Sequence, residues 1–289
     1  EPRQEEAGKV FPASGQASSV LDVLRYQAEY EGVAMVCDTT VKSVAKSGTL
    51  FTVYTTVGSF ETDAVIIATG GKAGPQFGCT GDGYAVAASF GHRLVEPFPA
   101  LVQLRLKAPF LKALAGVKFH GQATIYREET MVSTAAGEIL FANYGISGPP
   151  ILALSRSAGE IRSQGKEPVL KVSLWPEQKT QQVANYLKCR FKEQGHKTAE
   201  LSLVGFLNKR LIPVLLKEAG IDLRMRAAQI SSAQVTALAA LLTGWTFTIT
   251  GTNGWTAAQV TAGGLDGRDI CPQTLSSNLV PELYFAGEV

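Results

Sequence analysis

The sequence predicts an α/β fold in which a β-rich and then helical domain is inserted into a sheet-containing domain. Val65–Ile67 is a short apolar run bounded by turn residues, which is typical of a strand buried on both faces of a parallel sheet. Residues 98–253 alternate first as short strands and later show helical periodicity. Residues 254–289 return to short apolar runs that end at glycines. The predicted domains are therefore 1–97 and 254–289 for the sheet domain and 98–253 for the insertion.

The residues before Val65 are predicted to form a helix followed by short strands. The helix begins at Ser18 or Ser19, one of which could cap it, and apolar side chains recur at helical spacing as far as about residue 31. Gly32 can end it in a left-handed conformation. An apolar run and two alternating runs then lead towards Val65–Ile67. These strands are predicted at residues 33–36, 40–44, 50–54 and 59–62.

A glycine-rich turn follows the strand at Val65–Ile67. It is formed by Ala68, Thr69, Gly70 and Gly71. Glycines permit positive φ and let another molecule approach the backbone closely. In open α/β sheets, ligands bind beyond the carboxyl ends of the strands. The turn is therefore a candidate binding site, and an ordinary βα turn without a ligand remains the alternative.

A second glycine-rich stretch, residues 78–83, precedes a helix predicted over residues 84–91. Asp82 occupies the position of an N-cap, where its carboxylate would accept backbone hydrogen bonds and would be favoured by the helix dipole. Cys79 is interpreted as a turn residue that fills space, because no base is linked to it by a motif. The apolar side of the helix is predicted at Ala85, Val86 and Ala88.

The insertion is predicted as strands first and helices later. Pro149 is placed as the first residue of a helix, because proline is favoured at that position. Strands are predicted at residues 94–104, 117–126, 138–142, 169–174 and 245–249, and helices at residues 181–193, 201–207, 211–218 and 233–242. The return segment then predicts a strand at residues 257–264 and another at 283–289, which reaches Gly287 and Glu288.

Composition excludes several classes of function. The formal net charge is +2 over 289 residues, which is not the footprint of a nucleic-acid-binding protein. No apolar run has membrane-spanning length. The four cysteines are scattered without a Cys-x-x-Cys pair, which argues against a zinc site and fits a reducing compartment. We expect a cytoplasmic protein that acts on a small molecule and has no metal, membrane or nucleic-acid partner; the oligomeric state is not predicted.

The order of these motifs resembles flavoproteins of the glutathione-reductase type. Ala-Thr-Gly-Gly closes a strand at residues 68–71, Thr-Gly-Asp-Gly opens a helix at 80–83, and Gly-Gly and Gly-Glu follow at 263–264 and 287–288. The closest resemblance is to the BaiN/RdsA-type family of NAD(P)/FAD-dependent oxidoreductases, also labelled aminoacetone-oxidase-like. The series is also similar to succinate dehydrogenase and fumarate reductase flavoproteins, where the corresponding Asp and Glu face the cofactor.

The resemblance implies a partial Rossmann-like FAD/NAD(P)-binding domain, with FAD as cofactor and NAD(P)H as a candidate reductant. It implies hydride transfer to an organic acceptor such as an enone-type double bond. The alternative is a flavin- or nucleotide-binding or structural module without redox turnover. No catalytic residue is assigned, because the Thr-His pair common in the family is Ala142-Asn143 here. The cofactor contacts implied by the resemblance are Val41, Ala68, Thr69, Gly70, Gly71, Asp82, Gly287 and Glu288.

One expected motif is absent from the sequence. A flavin domain of this type begins with a strand and Gly-x-Gly-x-x-Gly, and the following helix receives the pyrophosphate. That pattern does not occur in these residues, and the family continues into a glycine-rich helix beyond the position of Val289. We therefore expect an internal fragment that holds FAD weakly or not at all.

Overall fold

The structure is a computed structural model that describes residues 1–5 and 8–289. The chain divides into two compact units, Glu1–Asp63 and Ala64–Val289. Within the described residues, no helix combines the length and the apolar character that crossing a membrane requires. The predicted division into a sheet domain and an insertion, with boundaries near residues 97 and 253, is not the same as this division and stays a prediction.

In residues 1–5 and 8–63, the first unit contains one α-helix and two small antiparallel sheets. β1 and β2 form a pair, and β3, β4 and β5 form a three-stranded sheet in that order. This confirms the two strands predicted from alternation at residues 40–44 and 50–54. Phe51 anchors the three-stranded sheet, because its side chain is fully buried. The elements are β1 (Pro2–Gln4), β2 (Val10–Pro12), α1 (Ser18–Tyr30), β3 (Val41–Ser47), β4 (Leu50–Thr55) and β5 (Ser59–Thr62).

Two predictions for this unit are wrong. The run at residues 33–36 is not a buried strand, and Met35 is 47% exposed. Apolar side chains alone do not make a strand, because the backbone also needs a neighbouring strand to pair with. Among residues 1–5 and 8–63, the run at residues 33–36 pairs with no strand, and the Val33 N–H instead donates to the Ala28 carbonyl over 2.9 Å. The N-cap of α1 is Ala17, without a side-chain bond. Ser19 instead shares a hydrogen bond of 2.7 Å with the hydroxyl of Ser14.

The second unit contains a barrel with helices around it, and its first and last strands form a short parallel pair. Its strands are β6 (Val65–Ile67), β7 (Leu94–Ala100), β8 (Leu104–Leu106), β9 (Lys118–Arg127), β10 (Thr130–Ala142), β11 (Gly145–Ser147), β12 (Pro168–Ser173), β13 (Trp245–Thr252), β14 (Val260–Leu265) and β15 (Leu283–Phe285). Its helices are α2 (Asp82–Ser89), α3 (Leu111–Leu114), α4 (Pro149–Ser163), α5 (Thr180–Glu193), α6 (Ala199–Leu203), α7 (Leu211–Glu218) and α8 (Ser232–Gly244).

Six strands close into a barrel in the order β10-β11-β8-β13-β12-β9. Every neighbouring pair is antiparallel, so the strands predicted at residues 117–126, 138–142, 169–174 and 245–249 share one sheet. The strand predicted over residues 94–104 is wrong in extent, because residues 94–100 form β7, which pairs with β14 in a separate two-stranded sheet. Three aromatic side chains pack together in the core of the barrel. The ring centroid of Phe141 lies 5.8 Å from that of Trp245 and 6.0 Å from that of Phe247. Truncating such a buried aromatic side chain costs about 3–5 kcal/mol.

Helices pack beside the barrel and begin at residues suited to that position. Pro149 is the first residue of α4, as predicted. The hydroxyl of Ser231 accepts a bond from the Gln234 N–H, and the Gln234 carboxamide accepts one from the Ser231 N–H, which caps α8. The helix predicted over 201–207 is wrong in extent, because Thr198 caps α6 earlier and the chain turns extended at Val204.

The parallel pairing predicted for Val65–Ile67 is confirmed, since β6 pairs with β15 in parallel. Its burial on both faces is wrong, because Ile66 is 66% exposed while Ile67 is buried. A two-stranded sheet that packs on one side covers only every second side chain. The described fold is a mixed α/β arrangement with a barrel, and the Rossmann-like domain stays a prediction.

The buried face of α2 also differs from the prediction. Ala85 and Ala88 are exposed, while Tyr84 and Ala87 are buried. The helix begins two residues earlier than predicted, directly after Gly81, which is left-handed with φ of 84°. Gly83, Tyr84 and Ala87 are the buried residues of the helix, and Val86 is half-buried.

Candidate functional site

Two loops leave the parallel strand pair at the same edge. β6 and β15 run in the same direction, so their carboxyl ends coincide. The Ala286 N–H donates to the Ile67 carbonyl over 3.1 Å, which extends the pairing to the start of both loops. The loop at residues 68–71 and the loop at 286–289 therefore lie beside each other, as ligand-binding loops of α/β sheets do.

A third element, β14, joins these loops through Thr261. Its hydroxyl oxygen accepts hydrogen bonds from the backbone N–H groups of Lys72 at 2.8 Å and Ala73 at 3.0 Å. Its own N–H donates to the carboxylate of Glu288 over 3.2 Å. We call the set Gly70, Gly71, Thr261, Gly264 and Glu288 the glycine junction.

The glycines of this junction permit close packing of protein on protein. A Cβ at Gly71 would overlap the side chain of Thr261 and lie 3.0 Å from the Glu288 carbonyl oxygen. Gly264 has φ of 109°, and a Cβ there would lie 3.2 Å from the carbonyl oxygen of Val289. A Cβ at Gly70, whose φ is 70°, would lie 3.1 Å from the sulfur of Cys79. These positions therefore require glycine for steric and conformational reasons.

A buried hydroxyl lies next to the glycine junction. Tyr84 is only 5% exposed, and its hydroxyl has no hydrogen-bond partner in the part of the chain that the structure describes. Burial raises the pKa of Tyr84, and the nearby negative charge of Glu288 raises it further. The Tyr84 hydroxyl is thus neutral and can donate a hydrogen bond that no described residue accepts. Tyr84 was not predicted as a site residue, because its only signal in the sequence was its place in the first turn of α2.

Asp82 lies at the start of α2 but does not cap it. The N-cap is Gly81, and Asp82 is already the first helical residue, so the N-cap prediction is wrong. Its carboxylate accepts a hydrogen bond of 2.8 Å from the hydroxyl of Thr80. The side chain is exposed in the first turn, where a negative charge is favoured by the helix dipole.

The structure brings some of the predicted site residues together. The loop at residues 68–71 and Glu288 meet at the glycine junction, and Gly287 has φ of 78° with open space around its α-carbon. Val41 belongs to the other compact unit, where it pairs with Thr55 at the start of β3. The contacts predicted between these site residues and a cofactor stay predictions. Among residues 1–5 and 8–289, no group of three or more His, Cys, Asp or Glu side chains could hold a metal ion.

A cluster of charged side chains at the start of β7 was not predicted from the sequence. Arg93 binds Asp269 with an N–O distance of 2.7 Å, and Arg268 binds Asp266 at 2.5 Å. Hydrogen bonds from these arginines hold the pKa values of both carboxyl groups below their usual range. The alternating charges of Asp-Gly-Arg-Asp at residues 266–269 were the available signal. The cluster ties the return segment to the start of β7.

Next to this cluster, His92 forms a second link to the return segment. Its Nε2 atom is 2.8 Å from the hydroxyl of Ser277, and its ring packs edge-on against Phe285 at 4.8 Å. Burial lowers the pKa of His92, and the charge of Asp269 partly opposes that shift. The histidine is therefore buried, and both of its contacts bind it to the return segment.

These features define a class of protein: a mixed α/β fold in which a closed barrel accompanies a glycine-lined loop junction at the end of two parallel strands. Residues 98–260 match the family described as HI0933-like protein barrel and H2TH domain. The chain belongs to this family. The resemblance to the BaiN/RdsA-type oxidoreductases is thereby confirmed.

Relatives with assigned activities match almost the whole chain. A 3-dehydro-bile acid delta(4,6)-reductase of Clostridium scindens is 34% identical over 98% of this chain and 69% of its own length. Ribosomal RNA dihydrouridine synthases are similar too: that of Haemophilus influenzae is 29% identical over 99% of this chain and 69% of its own length. That of Escherichia coli is 30% identical over 98% of this chain and 68% of its own length. The relatives are oxidoreductases.

Proposed function

We propose that this protein contributes to a flavin-dependent oxidoreductase that passes hydride between NAD(P)H and an activated carbon–carbon double bond. The observation that carries the proposal is the glycine junction, with the Glu288 carboxylate and the buried Tyr84 hydroxyl beside it. The names of the relatives support the reaction type. One name is that of a delta(4,6)-reductase, and the other describes the formation of dihydrouridine, so both concern reduction of a double bond.

The residues at the junction fit a flavin in three respects. Glu288 presents an exposed carboxylate that can accept hydrogen bonds from ribityl hydroxyls. Gly287 leaves open space for a ligand to approach the backbone. The unpartnered Tyr84 hydroxyl can donate to a cofactor oxygen or nitrogen in a site that excludes water. A bound flavin would supply the ring that accepts and donates hydride.

The protein's own contribution is binding and orientation. Thr261 fixes the backbone of Lys72 and Ala73, so the loop at residues 68–71 has a defined conformation before a ligand arrives. Such preorganisation lowers the entropic cost of binding. Because the Thr261 N–H already engages Glu288, that carboxylate is held in place rather than free to rotate.

The relatives differ in substrate, a bile acid in one case and a ribosomal RNA in the other. We propose a small organic molecule for this protein. The net charge of +2 supports this choice, because proteins that bind RNA backbones commonly carry a strong positive charge.

The test is spectroscopic and kinetic. The full-length gene product is mixed with FAD and desalted, and its visible spectrum is recorded. NAD(P)H oxidation is then followed with a 3-oxo-Δ4 steroid acid and, separately, with a uridine-containing RNA. Retained flavin bands and turnover of the steroid acid are expected. A colourless protein that does not oxidise NAD(P)H would contradict the proposed function.

Glu288→Gln isolates the role of the carboxylate within that protein. Flavin retention should fall, because a carboxamide is a weaker acceptor than a carboxylate for hydroxyl donors. Glu129→Gln is the matched control, since Glu129 is exposed in the turn between β9 and β10, away from the glycine junction. Unchanged flavin content in the Glu288 variant would assign this residue a structural role only.

A further inference from the structure

A second concave site lies on the barrel, apart from the glycine junction. It is an open groove of about 760 Å³ on the outside of β8, which is in the size range of small-molecule sites. We call it the barrel groove. Its polar lining is Arg105, Lys107, Asn143, Tyr144 and Thr250, and its apolar lining is Leu106, Ala108, Pro109 and Leu111.

The sequence of β8 explains why cations line this groove. Leu104 and Leu106 are buried in the barrel, so strand alternation turns Arg105 outward. Lys107 follows two residues later, with its backbone N–H bonded to the Thr248 carbonyl over 3.2 Å. The two cationic side chains therefore project from the same side of one extended segment, and both are exposed.

Gly145 brings the opposite wall of the groove close to β8. A Cβ at Gly145 would lie 2.8 Å from the backbone nitrogen of Leu106, so only glycine permits this approach. The Leu106 N–H donates to the Tyr144 carbonyl over 3.1 Å. The turn that carries Asn143 and Tyr144 is thus fixed beside the two cations by backbone geometry.

The charges in the groove are not compensated. Neither Arg105 nor Lys107 forms an ion pair with any residue in the described ranges, and none of the residues that line the groove is a carboxylate. A concave site with one sign of charge concentrates the field and attracts the opposite ion. Asn143 and Tyr144 add neutral donors that can complete the hydrogen bonding of an anionic oxygen.

The apolar residues narrow the class of ligand. Ala108 is half-buried and Pro109 is exposed, so both offer hydrocarbon contact beside the charges, which a small inorganic anion could not use. We propose that the barrel groove binds the carboxylate end of an amphipathic organic acid, with Arg105 and Lys107 pairing with the carboxylate. The assignment does not depend on the proposed function, because no residue of the glycine junction lines the groove.

Binding is tested in the absence of FAD and NAD(P)H, so that the result does not depend on flavin chemistry. Cholate, its methyl ester, inorganic phosphate and a short RNA hairpin are titrated into the full-length gene product by calorimetry. Cholate is expected to bind, the methyl ester at least about 10-fold more weakly, since an ion-paired hydrogen bond is worth about 1.5–3 kcal/mol. Phosphate is expected to bind more weakly than cholate because it has no apolar body.

The double variant Arg105→Gln/Lys107→Gln should weaken cholate binding by about 10-fold or more and leave binding of the methyl ester unchanged. Lys188→Gln/Lys192→Gln removes two exposed positive charges from α5 and serves as the charge-matched control. Equal melting temperatures of the two variants show that folding is intact, which is expected because all four side chains are exposed.

Two results would overturn the assignment. One is unchanged cholate affinity in the Arg105/Lys107 variant. The other is tight binding of the RNA hairpin but not of cholate, with loss in the same variant, which would assign the groove to a nucleic-acid backbone. Failure of flavin retention with intact cholate binding would contradict the proposed function and leave the groove assignment standing.

Discussion

The hydroxyl of Thr261 accepts a hydrogen bond of 2.8 Å from the backbone N–H of Lys72, although the two residues lie in distant parts of the sequence. The same oxygen accepts a second bond from the next N–H, that of Ala73. One side chain on β14 therefore determines the course of the loop that follows β6. The conformation of that loop is set by tertiary contact and not only by its glycines.

Thr261→Val tests this relationship. Valine has nearly the shape of threonine but accepts no hydrogen bond, so two backbone N–H groups lose their partner. The free energy of unfolding should fall by about 1 kcal/mol, the lower end of the cost of unsatisfied buried donors, because Lys72 and Ala73 are only half-buried. Urea denaturation measures the change, and Thr256→Val, at an exposed site nearby, is the control. Equal losses in both variants would show that the hydroxyl of Thr261 has no special role.

Gly71→Ala should destabilise the glycine junction by steric overlap. The new Cβ would occupy the position of the Thr261 side chain, so strand or loop must move. Overpacking of this kind costs about 1–3 kcal/mol. Gly267→Ala is the matched control, because a Cβ there meets nothing within 4 Å and its φ is not positive. Thermal unfolding of the two variants should separate them clearly, and a Gly71 variant as stable as the control would show that the junction can relax.

Tyr84→Phe should affect the flavin-bound protein and not the flavin-free protein. The hydroxyl is buried without a partner in the described chain, so its removal costs no protein hydrogen bond. Stability without FAD should be unchanged or slightly higher. If the hydroxyl binds the cofactor, the dissociation constant for FAD should rise about 5- to 10-fold, as expected for one hydrogen bond of about 1 kcal/mol or more. A fluorescence titration measures the affinity for FAD. Equal affinities of the variant and the wild type would show that the Tyr84 hydroxyl does not bind the cofactor.

His92 should make the stability of the protein depend on pH. Burial lowers its pKa in the folded state, so between that value and about 6.5 the unfolded chain binds more protons than the folded chain. Stability from the neutral histidine is therefore fully present above about pH 6.5 and declines as the pH falls towards the lower folded value.

His92→Gln should flatten this decline, and denaturation midpoints measured from about pH 7.5 to about pH 5 would reveal it. His120→Gln is the control, because His120 is exposed on β9. If the pH dependence of the His92→Gln variant equals that of the wild type, His92 is not the cause.

The sequence predicted elements whose signal is local. The alternation at residues 117–126 and 245–249 marks β9 and β13, and Pro149 marks the start of α4. The closure of these strands into a barrel was not predicted, because pairing of Leu104 with Thr252 depends on residues that are remote in sequence. No local pattern carries that information.

The loops of the site were predicted from local sequence, but the contacts between them were not. Glycines after β6 and the Gly-Glu pair after β15 predicted two loops, and the parallel pairing places them side by side. The bond from Lys72 to Thr261 and the burial of Tyr84 were not predicted, because each is set by how α2 and β14 pack. The predicted strand at residues 33–36 failed for a related reason, since apolarity does not specify a pairing partner.

The closed barrel has a consequence for synthesis of the chain. β13 lies between β8 and β12, yet it follows both of them in the sequence. While a ribosome is still translating α5 to α8, both neighbours have an unpaired edge, which is a template for pairing with other chains. Closure of the barrel must therefore wait for β13, its last strand in the sequence, and helices α5 to α8 lengthen that delay. Slow translation through these helices is expected to increase aggregation during expression, whereas chaperones that shield strand edges should improve the yield.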